Sequence, residues 1–452
     1  MYVKNKTITV VGLGNSGINA ALLLKDLGAS VKATDAYDTA GTQSAKKQLA
    51  SRGVSVQTGG HTEDFIKGSD LIVVSPGVED SSPAIRWAEE FRIPVIGEME
   101  LGYRFCRGKI IAITGTNGKS TVTSLIGRML EDGGLDVIVC GNIGNSLCGE
   151  ISQIKNDTWV VLEVSSFQLE KTEFFKPYIS IVLNIRDDHM DRYAKFSDYF
   201  NEKLKVFRNQ DENDFLILNK DAGELKDIAG KARSKVLFYS RLGETNGAYA
   251  DSESIFCVTK GRSEEICAIS DMKLKGLHNV ENVLASSIAA RLADVKASSI
   301  KNTIANFAGL SHRFETVDTV DGVEYVDDSK GTTVDSTYRA LESCAKPVIL
   351  IAGGKDKHSD YGVIKDIVKE KVKKVVLIGE ATKAIRKALE GAVDMTEAKD
   401  MHEAVSMAHS FADKNSMVLL SPMCSSFDMF TSYKERGEVF KKAVEALKGK
   451  QT

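Results

Sequence analysis

Short apolar runs recur along this chain, at 7–11, 30–34, 70–75, 93–96, 109–114, 158–163, 179–184, 348–352, 374–378 and 417–420, with stretches of helical spacing between them. Runs of this length bounded by turn residues predict buried strands, and their alternation with amphipathic helices predicts parallel α/β sheets. The pattern falls into three blocks, 1–97, 98–309 and 310–452. Two helical segments stand out. Phe196 to Phe207 carries an apolar stripe of Phe196, Tyr199, Phe200, Leu204 and Phe207, and Lys203 falls on that stripe while Lys205 points elsewhere. Residues 434–448 read as a basic amphipathic helix, expected as a solvated surface element. No internal repeat or low-complexity tract interrupts the blocks.

Composition narrows the class. A chain of 452 residues has room for about three domains, each able to bury a core. Hydrophobic residues make up 42% and charged residues 27%, the balance of an ordinary globular protein. A formal net charge of -3 excludes a nucleic-acid binder with a broad basic face, but not anionic small substrates, which need only local positive charge. The seven cysteines are dispersed with no C-x-x-C pair, so zinc-type spacing is absent and a reducing, cytoplasmic setting is expected. The first strand begins at Thr7, which leaves no room for a signal peptide before it. No apolar run approaches the ~20 residues that span a bilayer, so no membrane insertion is expected.

Candidate chemistry lies at the strand ends. Gly12-Leu13-Gly14-Asn15-Ser16-Gly17 follows the first strand and Asp35 ends the second, the complete dinucleotide-type fingerprint in strand–turn–helix context. Its glycines allow a pyrophosphate to approach a helix N-terminus, and Asp35 could accept from a ribose or a base. A second turn, Ser75-Pro76-Gly77, follows the strand at 70–74 at the same sheet edge. In the second block Gly115-Thr116-Asn117-Gly118-Lys119-Ser120-Thr121 follows a strand and opens a helix. Backbone N–H groups of such a loop wrap phosphate oxygens, Lys119 adds a point charge, and Ser120 or Thr121 can hold Mg²⁺. Ile113 stands where a common P-loop has its first glycine, so the loop is a variant. Glu163 ends an apolar strand, where a carboxylate near a phosphate loop is a natural Mg²⁺ ligand, although a surface acid would look the same. His189, in Asp187-Asp188-His189-Met190-Asp191, reads on its own as a surface histidine. Lys203 either snorkels from its apolar face or is a desolvated, nucleophilic amine. Asn279 and Asn282 open a helix after Gly276 and could simply cap it.

Thr114 to Thr121 resembles the phosphate loop of the Mur ligases and folylpolyglutamate synthetases. The resemblance continues through Leu162-Glu163-Val164-Ser165-Ser166-Phe167-Gln168-Leu169, Asp188-His189-Met190-Asp191-Arg192-Tyr193 and His312-Arg313-Phe314-Glu315. Asp328-Ser329-Lys330-Gly331-Thr332 and Ser421 to Asp428 are similar to the D-glutamate-adding branch of the Mur ligases. The implied fold is α/β in three domains: N-terminal Rossmann-like, central P-loop ATPase-like with a parallel sheet, and C-terminal Rossmann-like. The implied reaction joins UDP-N-acetylmuramoyl-L-alanine to D-glutamate with ATP and Mg²⁺. The resemblance further implies that Glu163, His189 and Lys203, the last carbamylated by CO₂, serve metal binding together with Ser120. It puts Asn279 and Asn282 near the adenine, Arg313 near the phosphates and Asp328 at the ribose or phosphates. Gly14, Asn15, Ser16, Asp35, Ser75, Gly77, Asn142 and Ser165 would meet the precursor. Lys330, Thr332, Lys357, Ser426, Phe427 and Tyr433 would meet the amino acid, with Lys355 an alternative to Lys357. Gly331 stands where the family more often has alanine, a difference expected to be neutral. A monomer is expected.

Three other readings compete. A ligase of the same fold could use another amino acid or extend folate, although a folate ligase has no need of the first block's nucleotide site. A nicotinamide oxidoreductase would use the complete fingerprint of that block. A non-enzymatic nucleotide sensor would share the phosphate loop, but needs none of Glu163, His189 and Lys203.

Overall fold

The computed structural model describes residues 1–448 apart from 187, 189–191, 194, 260 and 357–358. Its apolar runs form three sheets. The first contains β1 (Thr7–Val11), β2 (Ser30–Thr34), β3 (Ser55–Gln57), β4 (Leu71–Val74) and β5 (Val95–Gly97), in the order β3-β2-β1-β4-β5 and parallel throughout. Its central strands β1 and β4 are apolar and buried nearly throughout because both of their faces are covered. Ile8 and Val10 pack with Leu24 and Leu49 on one side, while Val11 and Ile72 pack with Ile66 and Ile85 on the other. The strand order reverses between β1 and β4, which brings the turns after these two strands together, as ligand sites in open sheets require.

The second sheet contains β6 (Lys109–Thr114), β7 (Val137–Gly141), β8 (Trp159–Glu163), β9 (Ile179–Val182), β10 (Phe215–Asn219), β11 (Lys235–Ser240), β12 (Ala248–Ala250), β13 (Ser254–Thr259) and β14 (Arg262–Ala268). Its order is β14-β13-β12-β11-β10-β9-β6-β8-β7. The sequence predicts a parallel sheet, which holds from β7 across to β12; β13 and β14 then add antiparallel to that edge. In β13 burial alternates but the half-buried face also carries Phe256 and Val258, and β14 opens with four exposed residues, so the hairpin left no clear period in the sequence.

The third sheet contains β15 (Glu315–Val320), β16 (Val323–Asp327), β17 (Val348–Gly353), β18 (Val372–Ile378), β19 (Asp394–Glu397) and β20 (Met417–Leu420), in the order β15-β16-β20-β17-β18-β19. Only β15 is antiparallel to its neighbour. The helix Tyr433–Lys448 is not a purely solvated element: Arg436, Gly437, Phe440, Ala443 and Val444 are buried. They recur at helical spacing and form a stripe against the sheet that the many lysines between them conceal.

Contacts divide the chain into two compact units, 1–270 with 282–303, and 271–281 with 304–452. The first two sheets belong to the former and the third sheet to the latter. Among the described residues no helix is long and apolar enough to cross a membrane.

Candidate active site

The phosphate loop occupies the end of β6, the strand flanked by β8 and β9. Gly115 and Gly118 have φ of +153° and +84°, and a Cβ on Gly118 would lie 2.7 Å from the Asn282 side-chain oxygen. Both positions therefore need glycine. Gly118 caps the helix Lys119–Asp132, so Lys119, Ser120 and Thr121 form its first turn. The first turn of a helix presents backbone N–H groups and the positive end of its dipole, which favours an anion there. Asn184, just past β9, clasps the loop: its side chain accepts from Asn117 N (2.8 Å) and donates to Asn117 O (3.2 Å). The Thr116 hydroxyl accepts from Arg186 N (2.9 Å) and lies 3.1 Å from the Tyr199 hydroxyl. Lys119 curls back so that its ammonium donates to Gly115 O and Thr116 O, each at 2.8 Å.

β8 pairs with β6 so that Glu163 lies opposite Ile113, which brings its carboxylate beside the loop. Glu163 is buried; one carboxylate oxygen accepts from Asn142 Nδ2 (2.8 Å), and the other has no hydrogen-bond partner. A buried carboxylate oxygen left without a donor is costly unless something else meets it. Lys203, on the helix Phe196–Leu204, is the second buried group here. Its Nζ donates to Gly115 O (2.9 Å) and sits 4.6 Å from the centre of the Tyr199 ring. Burial, and then the nearby Lys119 charge, hold the Lys203 amine well below the usual lysine range; Asp188 and Glu163 oppose this. An orphan carboxylate oxygen and the buried Ser120 hydroxyl at one loop are oxygen donors that fit a hard divalent cation. His189 lies outside the described residues.

In the first sheet, Gly12 (φ +94°) and Gly17 make the fingerprint turn possible, since a Cβ on Gly17 would lie 1.8 Å from Gly12 O. Ser75 Oγ donates to that same carbonyl (3.0 Å), which joins the two turns. Gly14 caps the helix Asn15–Asp26, with open space where its Cβ would be, and Ser16 lies in the first turn. Gly77 likewise faces open space. Asp35 accepts from Leu13 N (2.7 Å) and Tyr37 N (2.9 Å), so its carboxylate also braces the turn. Ser165 caps the helix Ser166–Glu170 in a reciprocal arrangement with Gln168.

In the second unit the ends of β16, β20 and β17 converge. Asp328 N donates to Leu420 O (2.8 Å), Met423 N to Gly331 O (3.0 Å) and Gly353 N to Pro422 O (2.9 Å). Lys330 Nζ lies 4.1 Å from the centre of the Tyr433 ring. Thr332 is half-buried beside it, Ser426 is buried, and Phe427 is exposed. Lys355 pairs with Ser425 through the backbone, whereas Lys357 lies outside the described residues. Burial raises the Asp328 carboxyl to about 7, against the opposing Ser421 hydrogen bond and Arg313 charge. Asn279 Nδ2 donates to Lys275 O (2.8 Å) in the first turn of the helix Leu277–Leu292, the helix on which Asn282 also lies. Gly331 is not a neutral position: a Cβ there would lie 2.4 Å from Asp328 Oδ2 and 2.9 Å from Ser421 Oγ. Alanine would force the Asp328 carboxyl off Ser421.

Three family profiles match consecutive stretches: the Mur ligase MurD-like N-terminal domain at 6–97, the Mur ligase middle domain at 113–290 and the Mur ligase glutamate ligase domain at 312–424. The UDP-N-acetylmuramoylalanine–D-glutamate ligase of Koribacter versatilis is 43% identical to this chain, covering 99% of both. This chain belongs to the Mur ligase family. The ligase of the same name from Thermoanaerobacter sp. is 40% identical over 99% of this chain and 100% of its own length. Among solved structures, the UDP-N-acetylmuramate–alanine ligase of Thermotoga maritima covers 98% of this chain and 100% of its own, with a TM-score of 0.60 at 19% identity, a likeness of fold alone.

This Mur ligase also uses residues that its sequence did not single out. Asn184 and Tyr199 hold the phosphate loop, and Arg436 holds the loops of the third sheet. Tyr199 could have been found, because it shares a helical stripe with Lys203. Asn184 and Arg436 act across 67 and 107 residues of sequence, a separation that periodicity does not register.

Proposed function

We propose that this protein is an ATP-dependent ligase that forms the amide bond between UDP-N-acetylmuramoyl-L-alanine and D-glutamate, a step of peptidoglycan precursor synthesis in the cytoplasm. The observation that carries the reading is the half-buried Lys119 with the buried Glu163 and Lys203 at the phosphate loop, in a chain whose curated relatives are D-glutamate ligases over their full length. In this reading residues 1–97 bind the precursor, 98–309 bind ATP and 310–452 bind the amino acid.

The reaction needs the alanine carboxylate to attack the ATP γ-phosphorus, forming an acyl phosphate and releasing ADP. The amine of D-glutamate then attacks the acyl carbon, loses a proton, and phosphate leaves. Such transfers demand positioning and charge neutralisation more than covalent help from the protein. Lys119 and the loop N–H groups neutralise the transferring phosphoryl group. Asn279, Asn282, Arg313 and Asp328 hold the nucleotide; Gly14, Asn15, Ser16, Asp35, Ser75, Gly77, Asn142 and Ser165 hold the precursor. Lys330, Thr332, Ser426, Phe427, Tyr433 and either Lys355 or Lys357 receive the two carboxylates of glutamate, for which lysines and hydroxyls are apt partners. Ser120, Glu163, His189 and a carbamate on Lys203 would hold Mg²⁺, which supplies Lewis-acid stabilisation of phosphate charge. Burial disfavours the charged form of Lys203, and an unprotonated amine can attack CO₂, forming an N–C bond and losing one proton, which a protonated lysine cannot do.

Oxygen-18 in the alanine carboxylate tests the chemistry. The acyl-phosphate route transfers one labelled oxygen to the released phosphate; unlabelled phosphate would exclude it. With ¹³CO₂, a carbamate carbon resonance that disappears in Lys203→Ala is expected, and its absence from the unaltered protein would remove the carbamate.

A further inference from the structure

The first helix and the β7–β8 region meet through a polar bracket centred on Asn19 and Asn145, which none of the roles above uses. Asn19, one turn into the helix Asn15–Asp26, donates from Nδ2 to Asn145 Oδ1 (2.6 Å) and lies within reach of Ser146 Oγ (3.1 Å). Asn15 reaches the same Asn145 oxygen at 3.4 Å. Asn145 in turn donates to Glu150 Oε1 (2.9 Å), and its carbonyl accepts from Gly141 N (2.8 Å). The next residue, Asn142, is tied to Glu163 twice, through its backbone N–H to Glu163 O (2.9 Å) and through its side chain to Glu163 Oε1 (2.8 Å). Gly149 leaves the room the bracket needs, since a Cβ there would lie 2.5 Å from Asn145 Nδ2 and 2.8 Å from Asn19 Nδ2. The buried Glu98 anchors the far side of the same loop by accepting from Cys148 N (2.9 Å).

We propose that Asn19 and Asn145 are positioning residues that register the fingerprint helix, where the precursor pyrophosphate binds, on Glu163 at the phosphate loop. The short Asn145 side chain transmits position because its oxygen accepts from Asn19, its nitrogen donates to Glu150, and its backbone carbonyl is fixed by Gly141 N. Displacement of the helix N-terminus on precursor binding moves Asn145, and with it the Gly141-Asn142 turn that orients the Glu163 carboxylate. The inference rests on the ligase reading for what is bound at each end, while the bracket itself is a matter of hydrogen bonds.

The test compares Asn19→Ala, Asn145→Ala and the double variant with the unaltered chain by phosphate release. Each single variant is expected to raise the precursor KM about tenfold and the Mg²⁺ concentration for half-maximal rate about threefold, with KM for ATP and D-glutamate changed less than about twofold and the double no worse than the worse single. Additive effects, or any pattern without the joint shift in precursor and Mg²⁺ dependence, overturn the proposal. Amide hydrogen exchange in the full chain reads the bracket without turnover: Asn19→Ala should deprotect Gly141 and Asn142 and leave the helix Lys119–Asp132 unchanged. Unaltered exchange at Gly141 and Asn142 also overturns it. If the unaltered chain releases no phosphate, the ligase reading fails and the exchange result alone decides the bracket.

Discussion

Among the described residues one lysine and one arginine are buried, Lys203 in the first unit and Arg436 in the second, and they are treated in opposite ways. Arg436 is held on all three of its nitrogens: it donates to Ser329 Oγ (3.0 Å), Ser329 O (2.8 Å), Cys424 O (3.1 Å) and Ser425 O (3.3 Å). Burial lowers it only to about 10, so it stays charged at neutral pH and ties the Asp328–Lys330 loop to the Cys424–Ser425 loop. Lys203 has one carbonyl and one aromatic face, a lysine nearby, and an amine held far below its ordinary range. A fork of five donors suits permanent stapling, whereas a single amine that gives up its proton suits chemistry. Arg436 is partnered as a structural staple, and the sparse partners of Lys203 among the described residues support its proposed place at the reacting site.

That contrast can be broken by substitution. The largest effect expected is on activity: Lys203→Ala should lower kcat by on the order of 10²–10³-fold with the fold retained, and added small carboxylates should restore part of it. Steady-state assays with acetate or formate check this; intact activity in the variant would end the catalytic role. Arg436→Met should instead cost stability, about 3 kcal/mol in a denaturant titration, because several buried oxygens lose their donor together. Lys203→Met should change stability by less than about 1 kcal/mol, since an apolar chain suits the pocket at least as well.

The pH dependence sharpens the same comparison. Lys203 folded binds fewer protons than Lys203 unfolded over the range from its depressed value up to about 10.4, so its contribution to stability rises with pH across that range and is lost below it. Asp328 runs the other way. Its carboxyl is raised to about 7, so the folded state holds the extra proton and stability falls as pH rises from about 4 to about 7. Unfolding midpoints between these limits should show Lys203→Met flattening the first slope and Asp328→Asn the second. The smallest effect expected is that of Gly331→Ala, about 1 kcal/mol of stability and a few-fold rise in the D-glutamate KM, as the new methyl displaces the Asp328 carboxyl.

Much of this was legible before any coordinates. The strand runs, the phosphate loop and the lysine on an apolar stripe are local features, written in period and composition. The stripe from Phe196 to Phe207 does bury Tyr199 and Lys203, although its last turn tightens to a 3₁₀ helix at Lys205–Phe207. The residues that finish the site were not legible. Asn184, Arg436, Asn19 and Asn145 are ordinary polar side chains whose meaning depends on partners far away in sequence. Asp35 was read as a ligand group; its carboxylate also accepts from Leu13 N in the fingerprint turn and from Tyr37 N in its own, a bracing role the sequence did not show.

The central claim is the reaction itself, and phosphate release from ATP with UDP-N-acetylmuramoyl-L-alanine, Mg²⁺ and one amino acid at a time tests it most directly. Release with D-glutamate, and not with L-glutamate, L-alanine or L-lysine, is the predicted result. Release with another amino acid, or with none despite ATP binding, would contradict it.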